Sequence, residues 1–305
     1  MTIRGFGAAI AALMLAIGLS AGAEPSAGRS AASVVRDTPG PDTSGEPLFL
    51  HKLVPGETSP DAATKLAEGN SPAHIYATSW GITLATDRTG FYNDLIRFLL
   101  DAETARKHYD VIPYRRAMRA FLEDRQSCVY PKNVDTLYRT GDWDEHDRLI
   151  ESDGLLRSPI RIFTPPGKPL ISQETDLTGK RIAFAMGAKI PHSVKVPDVT
   201  FIPIADEVDK AKLLRTGTVD AIVANLPDVL FVFRHLQEPL PPYDPNYVPV
   251  PTPIIRIVCH DTPANRAFLR GFNARLKQAT ESGALATFFR LNGLEPSIFL
   301  APKDH

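Results

Sequence analysis

Two stretches of this chain each turn tightly and then run into a short apolar strand that stops at a small or polar residue. The first is Asp176-Leu177-Thr178-Gly179-Lys180-Arg181-Ile182-Ala183-Phe184-Ala185-Met186-Gly187. The second runs from Leu213 through Thr216-Gly217-Thr218-Val219-Asp220-Ala221-Ile222-Val223-Ala224-Asn225 to Leu226-Pro227-Asp228. Strands that alternate with helical segments build a mainly parallel α/β layer. Open sheets of that kind bind ligands outside the carboxyl ends of their strands. Met186, Gly187 and Asn225 stand at such ends and are candidate ligand contacts, although Gly187 can equally be a turn glycine and Asn225 a helix N-cap.

A second region repeats the pattern. Ile75 to Thr78 and Trp80 to Ala85 are β-branched and aromatic runs suited to strands, and Asp87-Arg88-Thr89-Gly90 makes a turn. Phe91, Leu95, Phe98 and Leu99 then share one helical face. Tyr109 to Ile112 reads as a strand, Arg115 to Asp124 as an amphipathic helix, and Cys128 to Tyr130 as a strand ending at Pro131. This β-α-β-α-β order suits a lobe with a parallel sheet. Asn133 to Arg157 is polar and irregular, and its acidic run from Asp142 to Asp147 lacks the spacing of a calcium loop.

Ile160 to Phe163 is the expected crossing into a second lobe. That lobe continues with strands at 181–185, 199–204 and 221–224 and helices at 206–215 and 226–236. The Pro-laden run from Glu238 to Pro253 leads back, and Ile254 to Val258 rejoins the first lobe. Thr262-Pro263 offers an N-cap followed by Pro at the first helical position, and a last helix spans 283–291.

The N-terminus places the chain in a compartment. Arg4 precedes an apolar core at 8–19, and Ala21-Gly22-Ala23 gives a cleavage pattern before Glu24. The core falls short of the ~20 apolar residues that span a bilayer. Export to the periplasm is expected, with residues 1–23 as signal peptide and 24–70 as a Pro/Gly/Ser-rich leader. The formal net charge of −1 gives no footprint for nucleic acid. The two cysteines, Cys128 and Cys259, are either a disulfide, which an oxidising compartment permits, or two buried thiols. Cys259-His260 lacks the partner spacing of a metal site, and neither metal nor cofactor is expected.

The two opening stretches resemble the second lobe of the extracytoplasmic solute-binding proteins of family 3, the amino-acid-type receptors of ABC importers. Gly90-Phe91-Tyr92-Asn93-Asp94-Leu95 looks like the turn opening the family's first helix. Pro113-Tyr114-Arg115-Arg116-Ala117 is similar to its Pro-Trp-x-Arg-Ala element, and Asp261-Thr262-Pro263 through Leu276 looks like its closing helices. The resemblance covers about residues 75 to 300. It implies a type II periplasmic-binding-protein clamshell of two lobes, each a mainly parallel sheet flanked by helices. Lobe 1 would hold 71–158 and 254–305, and lobe 2 would hold 159–253. It further implies a monomer that closes on a small-molecule solute and is read by a membrane permease or another periplasmic protein.

This chain departs from the pattern at the ligand. Receptors for amino acids place an aspartate five residues after the Val-Asp-Ala aspartate, where Asn225 stands here, and a neutral amide forfeits the charge-assisted pairing with an α-ammonium. The family's Thr-x-x-Arg turn has only the offset Arg139 as counterpart. A standard α-amino acid is therefore not expected. Trp80, Arg88 and Tyr92 near the first strand's exit, Arg116 on the second helix, and Lys132 and Asn133 after the third strand complete the candidate contacts. For Trp80 a core role competes, and for Arg116 a solvated face. Two other classes stand beside uptake: a non-transport homologue that serves as partner or sensor component, and a dehydratase-like enzyme on the same fold. Catalysis would need a general acid or base in the cleft. Asp87 and His260 are the nearest groups, so the chain is expected not to be an enzyme.

Overall fold

The computed structural model describes residues 74–143, 148–186, 188 and 190–302. The expected signal peptide, the leader and Gly187 lie outside the described residues. The first sheet contains β1 (Ile75–Ser79), β2 (Tyr109–Pro113), β3 (Cys128–Lys132), β4 (Leu149–Glu151), β5 (Leu156–Arg157) and β10 (Ile254–His260). Its order is β2-β1-β3-β10-β4, with β5 pairing β10. β1 runs parallel to β2 and β3, while β10 returns antiparallel between β3 and β4. The second sheet contains β6 (Ile160–Phe163), β7 (Arg181–Ala185), β8 (Thr200–Ile204) and β9 (Ala221–Asn225) in the order β6-β9-β7-β8. Here β7 is parallel to β8 and β9, and β6 is antiparallel to β9.

Helices cover both sheets: α1 (Phe91–Leu99), α2 (Ala102–Lys107), α3 (Tyr114–Glu123), α4 (Val134–Thr140), α5 (Ile190–Ser193), α6 (Glu207–Arg215), α7 (Leu226–His235), α8 (Pro263–Glu281), α9 (Ala284–Leu291) and α10 (Pro296–Phe299). The N-cap expected at Thr262 is made, the one expected at Asn225 is not, and Asp206 adds a cap of its own. Asp206 accepts from the backbone N–H groups of Val208 and Asp209, and Thr262 from that of Asn265. Gly90, which opens α1, has φ +101°, and a Cβ there would stand 2.4 Å from the Ile82 carbonyl oxygen, so the turn requires glycine. No helix among the described residues is long and apolar enough to cross a membrane.

Several expectations about elements are corrected. Trp80 to Ala85 is not a strand: Trp80 N–H donates to the Leu84 carbonyl, closing a turn around a short 3₁₀ segment at Gly81–Thr83. β3 does not end at Pro131 but passes through it, after a cis Tyr130–Pro131 bond, to Lys132. The stretch after Asn133 is not irregular. It holds α4, capped by the Asn133 side chain, and the short strands β4 and β5, which exist because β10 supplies their partner. Trp143 does not sit in a solvated run: it is buried against Phe121 and His260.

Cys128 and Cys259 form a disulfide. They stand opposite each other in the β3–β10 register, so the bond pins the returning strand to the strand that carries Lys132. One buried apolar cluster contains Ile75, Leu95 and Phe272 from the first-sheet side together with Leu214, Val229 and Phe233 from the second. The chain crosses between the sheets beside this cluster. Ser158 N–H donates to the Pro253 carbonyl where the outgoing and returning segments meet.

Candidate functional site

The carboxyl ends of β3, β7 and β9 open on one cleft. Its empty space is about 1340 Å³, continuous with solvent. Trp80, Tyr114, Lys132, Asn133, Arg139 and Asp142 line it from the side of the first sheet. Met186, Ile190, Ser193, Val223 and Asn225 line it from the side of the second, and Val250 and Pro253 wall the return segment.

Lys132 is the central polar group. Its Nζ lies 4.3 Å from the centre of the Tyr114 ring and 5.9 Å from that of Trp80, inside the range of cation–π attraction. Among the described residues no oxygen accepts from this ammonium and no carboxylate pairs with it. Burial pushes Lys132 down to about 8, while the Asp142 carboxylate acts in the opposite direction. The group is still largely charged at neutral pH.

The cleft's other ionisable groups already have protein partners, some charged and some neutral. Glu207 binds Lys210, whose ammonium also donates to the Val223 carbonyl. Arg139 Nε donates to Asp135. Asp142 accepts from Thr140 Oγ1 at 2.6 Å. Asp228 Oδ1 accepts from Thr83 Oγ1 at 2.6 Å and Oδ2 from the Tyr92 hydroxyl at 3.1 Å. Burial, with Glu207 nearby, pushes Asp228 up to about 7 against these two hydrogen bonds. Asn225 occupies the N-cap position of α7, yet its side chain makes no capping bond, and among the described residues its amide has no partner.

Asp228 also belongs to a seam between the lobes. Beside it Phe91 stacks on Phe231 with ring centres 4.9 Å apart, and Arg234 donates to the Asn292 carbonyl. Thus α1 and α9 on one side grip α7 on the other.

The remaining sequence candidates divide clearly. Trp80, Lys132, Asn133, Met186 and Asn225 line the cleft. Asn133 does so with its side chain committed, accepting from Thr136 N–H and donating to the Ile254 carbonyl. Arg88, Tyr92 and Arg116 do not line it. Arg88 donates to the Tyr109 carbonyl and to Asp110, Tyr92 is fully buried in the seam, and Arg116 is exposed on α3. Tyr114 and Asp228 were missed. Tyr114 stood inside the Pro-Tyr-x-Arg-Ala element, and that position was its only signal. Of the groups considered for catalysis, Asp87 accepts from Thr89 away from the cleft. His260 is buried, stacked on Phe121, and hydrogen-bonded through Nε2 to the Phe121 carbonyl. Among the described residues no group of three or more His, Cys, Asp or Glu is placed to hold a metal ion.

Solved structures share this fold. The GluR0 ligand-binding core from Nostoc punctiforme, in complex with L-glutamate, matches over 72% of this chain and 98% of its own, with a TM-score of 0.56 and 16% identity. The fold is that of a type II periplasmic binding protein. A solute receptor for L-cysteine from Neisseria gonorrhoeae matches 79% of this chain and 99% of its own, with a TM-score of 0.54 and 12% identity. An ancestral amino acid-binding protein, described as a precursor of cyclohexadienyl dehydratase, matches 76% and 97%, with a TM-score of 0.52 and 16% identity. No protein-family model and no curated protein matches the sequence. In a periplasmic binding protein the cleft between the lobes is where the fold brings groups from both sheets together. Here those groups include a lysine and an amide that have no hydrogen-bonding partner among the described residues.

Proposed function

We propose that this protein is an exported solute receptor that holds a small molecule in the cleft between its lobes and presents it to an ABC-type permease. The observation that carries the reading is the pair of uncommitted polar groups facing one cleft from different sheets, Lys132 at the end of β3 and Asn225 at the end of β9. A solute that touches both is bound fully only when the lobes are together, and this difference makes a clamshell responsive to its ligand. The Cys128–Cys259 disulfide fits an oxidising compartment such as the periplasm. With Asn225 where an amino-acid receptor would carry aspartate, a standard α-amino acid loses its ammonium partner.

A thermal-shift screen of residues 24–305 against amino acids, polyamines, organic acids, sugars and quaternary amines tests the proposal. A solute at 100 times its Kd adds about 2.7 kcal/mol to the folded state, which raises Tm by several degrees. Silence across the library from a folded protein contradicts the receptor reading. It would favour the homologue that acts through a protein partner, for which the lobe seam at Phe91, Asp228 and Phe231 supplies an observation: protein contacts alone join the lobes there.

A further inference from the structure

The chemistry of the solute follows from which cleft groups are satisfied, and this inference rests on the cleft being a solute site. Every carboxylate lining the cleft has protein partners: Asp228 binds Thr83 and Tyr92, Glu207 binds Lys210, and Asp142 binds Thr140. An α-ammonium group entering the cleft would have to share a carboxylate that already serves protein donors, and it would bring a second positive charge beside Lys132. Among the described residues Lys132 is the one lining cation without an anionic or hydrogen-bonding partner, and its ammonium lies over the faces of Tyr114 and Trp80. A half-buried ammonium with no hydrogen-bonding partner gains most from an incoming anion. The surrounding walls are apolar, including Ile160, Ile190, Val223, Val250 and Pro253. A dianion or phosphate would leave charge against those walls, with no second free cation among the described lining residues to meet it.

We propose that the cleft takes a small monocarboxylic acid with an apolar body and no α-ammonium group, its carboxylate paired with Lys132 Nζ and its body against the Ile160, Ile190, Val223 and Val250 walls. Tyr114 and Trp80 are positioning residues in this assignment: their ring faces hold the ammonium where it can meet the ligand. Asn225 offers an amide N–H from the opposite lobe to the second carboxylate oxygen.

Calorimetric titration of the full-length protein tests the assignment. The probes are 3-phenylpropionate and 4-methylpentanoate, each beside its α-amino acid, L-phenylalanine or L-leucine, and beside the corresponding primary alcohol. The expected result is that at least one carboxylate binds tenfold or more tightly than its amino and alcohol counterparts, a difference of about 1.4 kcal/mol. Lys132→Met should abolish that preference and Lys132→Arg should keep most of it, with circular dichroism confirming that both variants fold. In the wild type the Kd of the carboxylate should rise above pH 8, as the free lysine loses its proton, and in Lys132→Met it should stay flat. Equal or tighter binding of the amino acids, binding indifferent to Lys132→Met, or no binding of any probe overturns the assignment. If a different solute class from the thermal-shift library binds, the receptor reading stands and only the carboxylate assignment falls. If no solute of any class binds the folded protein, both fall.

Discussion

At the scale of single residues, the cleft trades stability for a charge. Lys132 has a folded pKa of about 8, below the ordinary lysine value, because burial disfavours its ammonium more than the two rings and Asp142 support it. Below pH 8 folding therefore works against the charged lysine. That cost fades as pH rises toward the unfolded value near 10.4. Lys132→Met, which removes the charge and keeps an unbranched apolar side chain, should stabilise the solute-free protein at pH 7 by on the order of 1–3 kcal/mol, measured by urea denaturation. The gain should vanish above about pH 10. A lysine retained purely for packing would give the opposite sign.

What the sequence reveals at this scale is limited by direction. It places Trp80, Lys132, Met186 and Asn225 near strand exits, and the structure lines the cleft with all four. Tyr92 and Arg88 also stand close to the exit of β1, but their side chains turn to Asp228 and Asp110 instead. Position along a strand or helix tells which end a residue occupies; it does not tell which distant group captures its side chain. Tyr114 escaped for the same reason, since its partner Lys132 lies on another element.

At the scale of elements, the seam and the disulfide set how the site is held. Asp228 on α7 is raised to about 7, so its contribution to the seam is whole below its unfolded pKa near 4 and is lost as pH rises through 7. Stability should accordingly fall by about 1–3 kcal/mol between pH 5 and pH 8 on account of this group. Asp228→Asn should remove that part of the slope, since its amide oxygen still accepts from Thr83 and its N–H donates to the Tyr92 oxygen. Chemical denaturation at the two pH values reads the difference. Reducing Cys128–Cys259 should cost about 2–5 kcal/mol. Strands such as β7 and β9 were readable because an apolar run between turn residues has few alternatives. The strands β4 and β5 were not, because two or three residues form a strand only when β10 lies beside them. Trp80 to Ala85 has strand composition, but its backbone closes on itself through the Trp80–Leu84 hydrogen bond.

At the scale of the whole molecule, two sheets share one cleft and one seam, and the chain passes between them at the Ser158–Pro253 contact. Order and spacing of motifs carried this architecture even though identity to the solved structures of the same fold is 12–16%. What binds in the cleft is decided by a few uncommitted atoms, which order and spacing do not encode. The central claim is that a solute is gripped by both lobes at once. Hydrogen exchange of the protein with and without its tightest-binding solute measures this directly. Slowed exchange should appear together at the end of β3 through α4, around Lys132 to Thr136, and at the end of β9 into α7, around Val223 to Asp228. Protection confined to one of these segments, or unchanged exchange with every solute, would contradict the account.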